Sequence, residues 1–244
     1  MTRTLELDLG AATVTRVPFD LPVYITLRAA GDMGPSGAAE QPRRDEVLAE
    51  LGIATQNYVT VKQVHSRRVE VVSTRRRPVP GTEADGLLTD DPAAALGVTV
   101  ADCMPIFLAA PRVGAFGVLH SGWRGTGIVA DALRLAERTW GLEPSEISVL
   151  LGPSIGPCCY RVDEDRAALF ADLWGEPGVV RRDDGPHLDL RRANLDILAA
   201  AGVEQVRVVE ECTSCNTALG SFRREGPQEF TRMMAVITAG PLGA

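Results

Sequence analysis

The sequence predicts a mixed α/β or α+β fold, on three observations. Short apolar runs of strand length recur along the chain, and several other segments carry a helical period. The two kinds mix without the strict strand–helix–strand rhythm of a doubly wound sheet. With 244 residues the chain can bury a sizeable core as one compact domain over 1–244, and no repeat, low-complexity tract or linker divides it.

Residues 21–26 read as a strand and 31–37 as a Gly- and Pro-bearing loop. Pro42 opens a helix that stops at Leu51-Gly52, where glycine is the favoured terminator. Alternation predicts strands over 58–64 and 69–73, with His65 at a strand end or turn between them. A polar stretch, 75–83, separates these from Asp85-Gly-Leu-Leu-Thr-Asp90 and from apolar runs at 96–100, 104–110 and 115–119, which read as buried strands. Asp102-Cys103 and His120 fall where those strands end. Residues 125–140 form an amphipathic helix with Ile128, Ala132, Leu135 and Ala136 on one face. A strand at 147–151, helices at 164–173 and 188–201, and strands at 205–209 and 232–237 complete the expected order.

Composition narrows the class of protein. The chain is 45% hydrophobic and 23% charged, which is globular, and its net charge of −7 argues against a general binder of nucleic-acid backbone. Acids near the start leave no apolar core for a signal peptide, and no run approaches a membrane span, so the expected location is cytoplasmic. Five cysteines, two of them adjacent, suit a reducing compartment better than a disulfide framework.

Four groups of residues could carry chemistry. Two of the three histidines, His65 and His120, flank Cys103, which lies 38 residues after the first and 17 before the second. Two imidazoles and a thiolate are a set that zinc accepts, leaving a fourth position for water. The spacing matches no short zinc pattern, so a buried small Cys between ordinary strand-end histidines explains it equally well. The second group is His120-Ser-Gly-Trp-Arg-Gly-Thr-Gly before the 125–140 helix: free N–H groups at a helix start and Arg124 would suit a phosphate, whereas a Gly-rich turn with a solvated arginine is the plainer reading. Third, Cys158-Cys159 with Cys212 and Cys215 would make a four-thiolate site, but adjacent cysteines seldom splay to two tetrahedral corners, and buried free thiols rank above it. Last, Gly152-Pro-Ser-Ile-Gly-Pro-Cys-Cys-Tyr reads equally as a lining loop or a rigid turn.

Gln63-Val-His65, Ala84-Asp-Gly-Leu-Leu-Thr-Asp90, Ala101-Asp-Cys-Met-Pro105, His120-Ser-Gly-Trp-Arg-Gly125, Gly152-Pro-Ser-Ile-Gly-Pro-Cys-Cys159 and Glu211-Cys-Thr-Ser-Cys215 with Ser221-Phe-Arg-Arg occur in that order. Together they resemble the laccase-domain-containing family, also called polyphenol oxidase-like or peptidoglycan editing factor, from about Thr26 to Ile237. The resemblance implies a single mixed domain of the cytotoxic necrotizing factor 1-like type, unrelated to cupredoxin laccases, with a zinc on His65, Cys103 and His120. It implies phosphorolysis of adenosine, inosine, guanosine and methylthioadenosine, and deamination of adenosine, with purine nucleosides and phosphate as partners. Arg124 is then the expected phosphate ligand and Asp102 the residue that orients a ligand or moves a proton. Arg28, Arg43 and Arg44 would add positive charge at the mouth.

The chain departs from the family pattern in places. Lys62 and Ser66 flank the Gln-Val-His core, Ser121 replaces the usual Ala, Arg43 stands for a common Asn, and Leu219-Gly-Ser-Phe-Arg-Arg replaces Phe-Phe-Ser-Tyr-Arg-Arg. The N-terminal Gly-rich loop is short and lacks the Ser-Leu-Asn-Leu-Gly segment of relatives. Three readings compete with the nucleoside enzyme. A copper phenol oxidase would need many more than three histidines. A peptidoglycan-precursor editing enzyme would keep the zinc. A non-catalytic zinc module would close the fourth position with a ligand such as His187 or Cys158.

Overall fold

The computed structural model describes residues 2–10, 12–34 and 42–240. Its strands are β1 (Thr2–Leu5), β2 (Val14–Val17), β3 (Val23–Thr26), β4 (Tyr58–Val59), β5 (Val69–Val71), β6 (Gly86–Thr89), β7 (Ala95–Val100), β8 (Met104–Ala110), β9 (Ala115–Ser121), β10 (Ser148–Leu151), β11 (Val179–Arg182), β12 (Gly185–Leu188), β13 (Gln205–Val209) and β14 (Met233–Thr238). The helices are α1 (Pro42–Glu50), α2 (Ile128–Trp140), α3 (Glu164–Trp174), α4 (Leu190–Ala201) and α5 (Phe222–Glu225). The expected mixed fold is observed. The expected 31–37 loop is a loop at 31–34, and its remaining residues lie outside those described.

The strands form a seven-stranded mixed sheet, β1-β13-β10-β8-β9-β6-β5, a five-stranded sheet, β2-β3-β14-β7-β4, and a separate β11-β12 hairpin. The two large sheets face each other. Phe107, Phe116, Val118 and Leu150 of the first meet Ile25, Leu96, Val98 and Ile237 of the second in one buried cluster. The opposite face of the seven-stranded sheet, with Ile106, Leu108, Leu119 and Val149, packs against α2, α3 and α4 through Val129, Ala132, Phe170 and Leu198. On the outer face of the five-stranded sheet, Ala95 and Val236 bury Val47 and Leu48 of α1. Four layers result: helix, sheet, sheet, helices. Strands β8 and β9 are buried on both faces, and that is why they read as unbroken apolar runs, with successive residues serving different clusters.

Several boundaries differ from expectation for identifiable reasons. Helix α2 starts at Ile128 and not at 125, because Gly127 precedes it at φ 92 in the left-handed region. Helix α4 starts at Leu190, since Leu188 pairs with Val179 in the hairpin and Asp189 caps the helix by accepting from Arg192 N at 2.9 Å. The strand expected over 58–64 forms only at Tyr58–Val59, with one isolated bridge further on at Lys62. Beyond it the Gln63 side chain replaces the ladder, donating from Nε2 to Thr99 O and accepting from Thr99 N, both at 2.8 Å.

Candidate metal centre

Strand register builds the site. Strands β8 and β9 pair antiparallel with Pro105 opposite His120 and Met104 opposite Ser121, so the next step of the register sets Cys103 across from Gly122. Strands β6 and β9 pair with Gly86 opposite Leu119, and one step further His120 N donates to Asp85 O at 2.7 Å. A parallel bridge between Lys62 and Glu83 lays the 63–66 turn beside Asp85. Three distant segments thereby converge, and the ligand atoms of His65, Cys103 and His120 lie within 4.8 Å of one another. The His65 and His120 rings stand edge to face with centroids 4.8 Å apart.

Asp85 is the organising residue. It is fully buried and accepts hydrogen bonds from Val64 N (3.2 Å), His65 N (3.0 Å), Ser66 N (2.7 Å) and Ser66 Oγ (2.7 Å). Its Oδ1 also meets His120 Nδ1 at 2.8 Å. An Nδ1–H bonded to a carboxylate reserves Nε2 of His120 for a metal, which would displace any proton held there, the arrangement that orients ligating histidines in metalloenzymes. Burial opposes ionisation of Asp85, but its bonds to His120 and Ser66 outweigh that and hold it down at about 2. Asp85 lay in plain view inside the Ala84–Asp90 block, and the sequence assigned it no role of its own.

The same electrostatics prepare Cys103. Burial disfavours its thiolate, but the charge and hydrogen bonds of His120 and His65 prevail and lower it to about 6. Correspondingly the Cys103 charge and the Asp85 bond overcome burial to raise His120 to about 10. Tyr160, the last residue of the loop that the sequence offered as a lining loop or a rigid turn, is pushed up by burial and by the nearby Cys103 charge.

Two residues here hold strained backbone. His65 (φ 60) and Asp102 (φ 82) are the two non-glycine residues with positive φ among those described. Such conformations cost about 1–3 kcal/mol each and persist where the surroundings enforce them. Asp85 enforces the first through the His65 and Ser66 amides. The second is held by its own side chain: Asp102 Oδ1 accepts from Thr213 Oγ1 at 2.7 Å and Oδ2 from Arg223 N at 2.6 Å. Gly122 is required for space, because a Cβ there would lie 2.7 Å from Cys103 Sγ.

Donor chemistry fits a divalent metal: one thiolate poised near neutral pH, one imidazole oriented by a carboxylate, and one imidazole on a held turn. His65 is exposed, Cys103 half-buried and His120 buried, so the trio opens to solvent on the His65 side. His187 and Cys158 stand apart from the trio. His187 sits on β12 with Nε2 3.0 Å from Asp184 Oδ1, and Cys158 clusters with three other cysteines.

The remaining candidate residues are placed as follows. Arg124 is exposed, with its guanidinium over the Trp123 ring at 5.0 Å, a ring that Arg166 also covers at 5.0 Å. The α2 start is not the free cluster of amides that a phosphate site there would use: Ile128 N donates to Gly125 O, Ala130 N and Asp131 N donate to Gly127 O, and the Trp174 ring occupies the space beside Gly127. Arg28 pairs with Glu225 at 3.3 Å, Arg43 donates to Ala30 O at 2.6 Å, and Arg44 lies over the Tyr58 ring.

Comparison with known proteins adds three findings. The family model described as multi-copper polyphenol oxidoreductase laccase matches residues 21–240. Purine nucleoside phosphorylase YlmD of Geobacillus stearothermophilus is 39% identical over 209 residues, 78% of this chain and 75% of that protein; adenosine deaminase RL5, from an unknown prokaryotic organism, is 34% identical over 192 residues, 72% and 73%. The crystal structure of YlmD from Geobacillus stearothermophilus superposes with a TM-score of 0.84 at 30% identity, covering 94% of this chain and 97% of that one.

Proposed function

The chain belongs to the multi-copper polyphenol oxidoreductase laccase family, and we propose that it acts, as one domain over 1–244, as a zinc-dependent purine nucleoside phosphorylase with adenosine deaminase activity. Relatives over most of its length carry those two names. The observation that carries the reading is the Asp85–His120 bond at 2.8 Å, beside a Cys and a second His that face an opening to solvent. It supports a reactive metal site over a closed structural one.

His65, Cys103 and His120 would hold the zinc, through His120 Nε2, a His65 ring nitrogen and the Cys103 thiolate. When bound, the ion would supply Lewis acidity and lower the pKa of water at its open position. The chain itself does the positioning. Asp85 fixes the tautomer of His120 and the turn that presents His65. Asp102, with both carboxylate oxygens bonded, presents Cys103 and anchors Thr213 and Arg223, which favours an orienting role over proton transfer. Arg124, exposed in the turn that follows His120, would grip phosphate for attack on the ribose anomeric carbon. Despite the family's title, copper phenol oxidation lacks donors: three histidines in the whole chain cannot furnish a trinuclear cluster in addition to a mononuclear site. Among the described residues no helix is long and apolar enough to cross a membrane; the location proposed for the enzyme is cytoplasmic.

The test is chromatography of adenosine reactions with and without phosphate. Adenine formed only with phosphate, together with inosine formed in its absence, supports the reading. A zinc-loaded protein that turns over no purine nucleoside refutes it and favours the peptidoglycan-precursor alternative.

A further inference from the structure

A second group of metal-ligating side chains lies outside the candidate active site. Strands β10 and β13 run parallel, and their pairing continues past the strand ends as a bridge between Ser154 and Cys212. That bridge brings the Gly152–Tyr160 loop against the 211–216 loop, and the sulfurs of Cys158, Cys159, Cys212 and Cys215 come within 4.8 Å of one another. Cys215 Sγ is 3.5 Å from Cys158 Sγ and 3.3 Å from Cys159 Sγ.

We propose that Cys158, Cys159, Cys212 and Cys215 form a second, structural zinc site that staples these two loops together. Four thiolates at the usual Zn–S distance of about 2.3 Å define a tetrahedron with edges of about 3.8 Å. The two Cys215 separations, 3.3 and 3.5 Å, lie just under that edge and every pair lies within 4.8 Å, so shifts of about an ångström or less close the ligands on an ion. The objection from sequence was that adjacent cysteines seldom reach two corners of one tetrahedron. Here both reach, because the chain turns tightly at this point: Cys159 N and Tyr160 N each donate to Gly156 O at 3.0 Å. Opposite them, Cys212-Thr-Ser-Cys215 is a two-residue-spaced pair whose first sulfur accepts from Gly156 N at 3.2 Å and faces the Ser214 and Cys215 amides, donors that support a thiolate.

Charge balance agrees. Four thiolates around a divalent ion leave a net charge of −2, and two guanidiniums of α5 bond to the same loops. Arg223 donates to Cys159 O and Arg161 O, both at 3.0 Å, and Arg224 donates to Thr213 O at 2.6 Å and Asn216 O at 3.0 Å. Each thiol gives its proton to solvent on binding, so affinity rises with pH. A site closed by four protein ligands has no position for substrate, hence the structural role. Thr213 and Arg223, the two partners of Asp102, belong to the stapled segment or adjoin it, so the staple steadies the wall beside Cys103.

The experiment is metal analysis of protein purified anaerobically from zinc-supplemented cells. Wild type is expected to hold about two zinc per chain, Cys158→Ser/Cys215→Ser about one, and His65→Ala/His120→Ala about one. Both cysteines replaced are exposed, so neither serine disturbs core packing. Cobalt loaded into the histidine variant should give the intense sulfur-to-cobalt charge transfer of a tetrathiolate. The proposal is overturned if the histidine variant holds no zinc, whether its thiols then titrate as free groups or its intact mass shows hydrogens lost to a disulfide. One zinc in wild type that survives the histidine changes but not the cysteine changes would instead refute the active-site metal and leave this site standing.

Discussion

Asp85→Asn preserves the volume of the side chain and removes its charge, and the hydrogen bonds show why the change is severe. Oδ1 accepts from His65 N and His120 Nδ1, whereas Oδ2 accepts from Val64 N, Ser66 N and Ser66 Oγ. An amide offers one acceptor oxygen and one NH2, so either orientation turns donors toward donors. With the NH2 at the Oδ2 position, two part-buried backbone amides, Val64 N and Ser66 N, lose their acceptor. At the Oδ1 position the NH2 can donate only if His120 shifts its proton from Nδ1 to Nε2, which occupies the lone pair meant for the metal, and His65 N still loses its acceptor. Unsatisfied buried donors cost about 1–3 kcal/mol each, and loss of such a partner behind a ligating histidine weakens metal binding about 10–100-fold. We expect Asp85→Asn to bind zinc at the trio at least tenfold more weakly in chelator competition and to melt at lower temperature. Glu83→Gln, which removes only an exposed ion pair with Lys62, should change neither. Wild-type zinc affinity in Asp85→Asn would refute the role given to this carboxylate.

Other expectations follow from single contacts. Gly122→Ala sets a Cβ 2.7 Å from Cys103 Sγ, about 1 Å closer than ordinary contact; metal ligand distances tolerate about 0.2 Å, so zinc at the trio and activity should fall together, while Gly240→Ala, with open space around it, retains both by metal analysis and assay. In metal-free protein Cys103 is lowered to about 6, so its thiolate is populated above that pH and lost below it. Alkylation of the Cys103 peptide, followed by mass spectrometry, should therefore rise through about pH 6, not near 9, and added zinc should suppress it. Arg124→Ala should reduce kcat/KM for phosphate in adenosine phosphorolysis about 10–100-fold, the worth of one charge-assisted contact, and leave deamination within about twofold, as kinetics with varied phosphate would show.

Legibility in the sequence followed the physics of each element. The run 104–110 was read to its last residue because a strand buried on both faces has no polar interruption. The β11-β12 hairpin was missed, since Arg181, Arg182 and the Asp183-Asp184 turn are exposed and leave too little apolar alternation to notice. Edge strand β1 escaped for the same reason, with three of its four residues exposed. His65, Cys103 and His120 could be listed but not joined by spacing, because what joins them is antiparallel register across β6, β8 and β9. Asp85 and the cysteine cluster depended likewise on pairing between distant strands, and a single sequence does not display pairing.

The central claim is that turnover depends on a metal held by His65, Cys103 and His120. Its most direct measurement is zinc added back stepwise to metal-stripped wild type and His120→Ala, with adenosine turnover followed in the presence of phosphate. Wild-type activity should return as the trio fills, and His120→Ala should stay inactive at every zinc level. Full turnover by metal-free wild type, or by His120→Ala, would contradict the account.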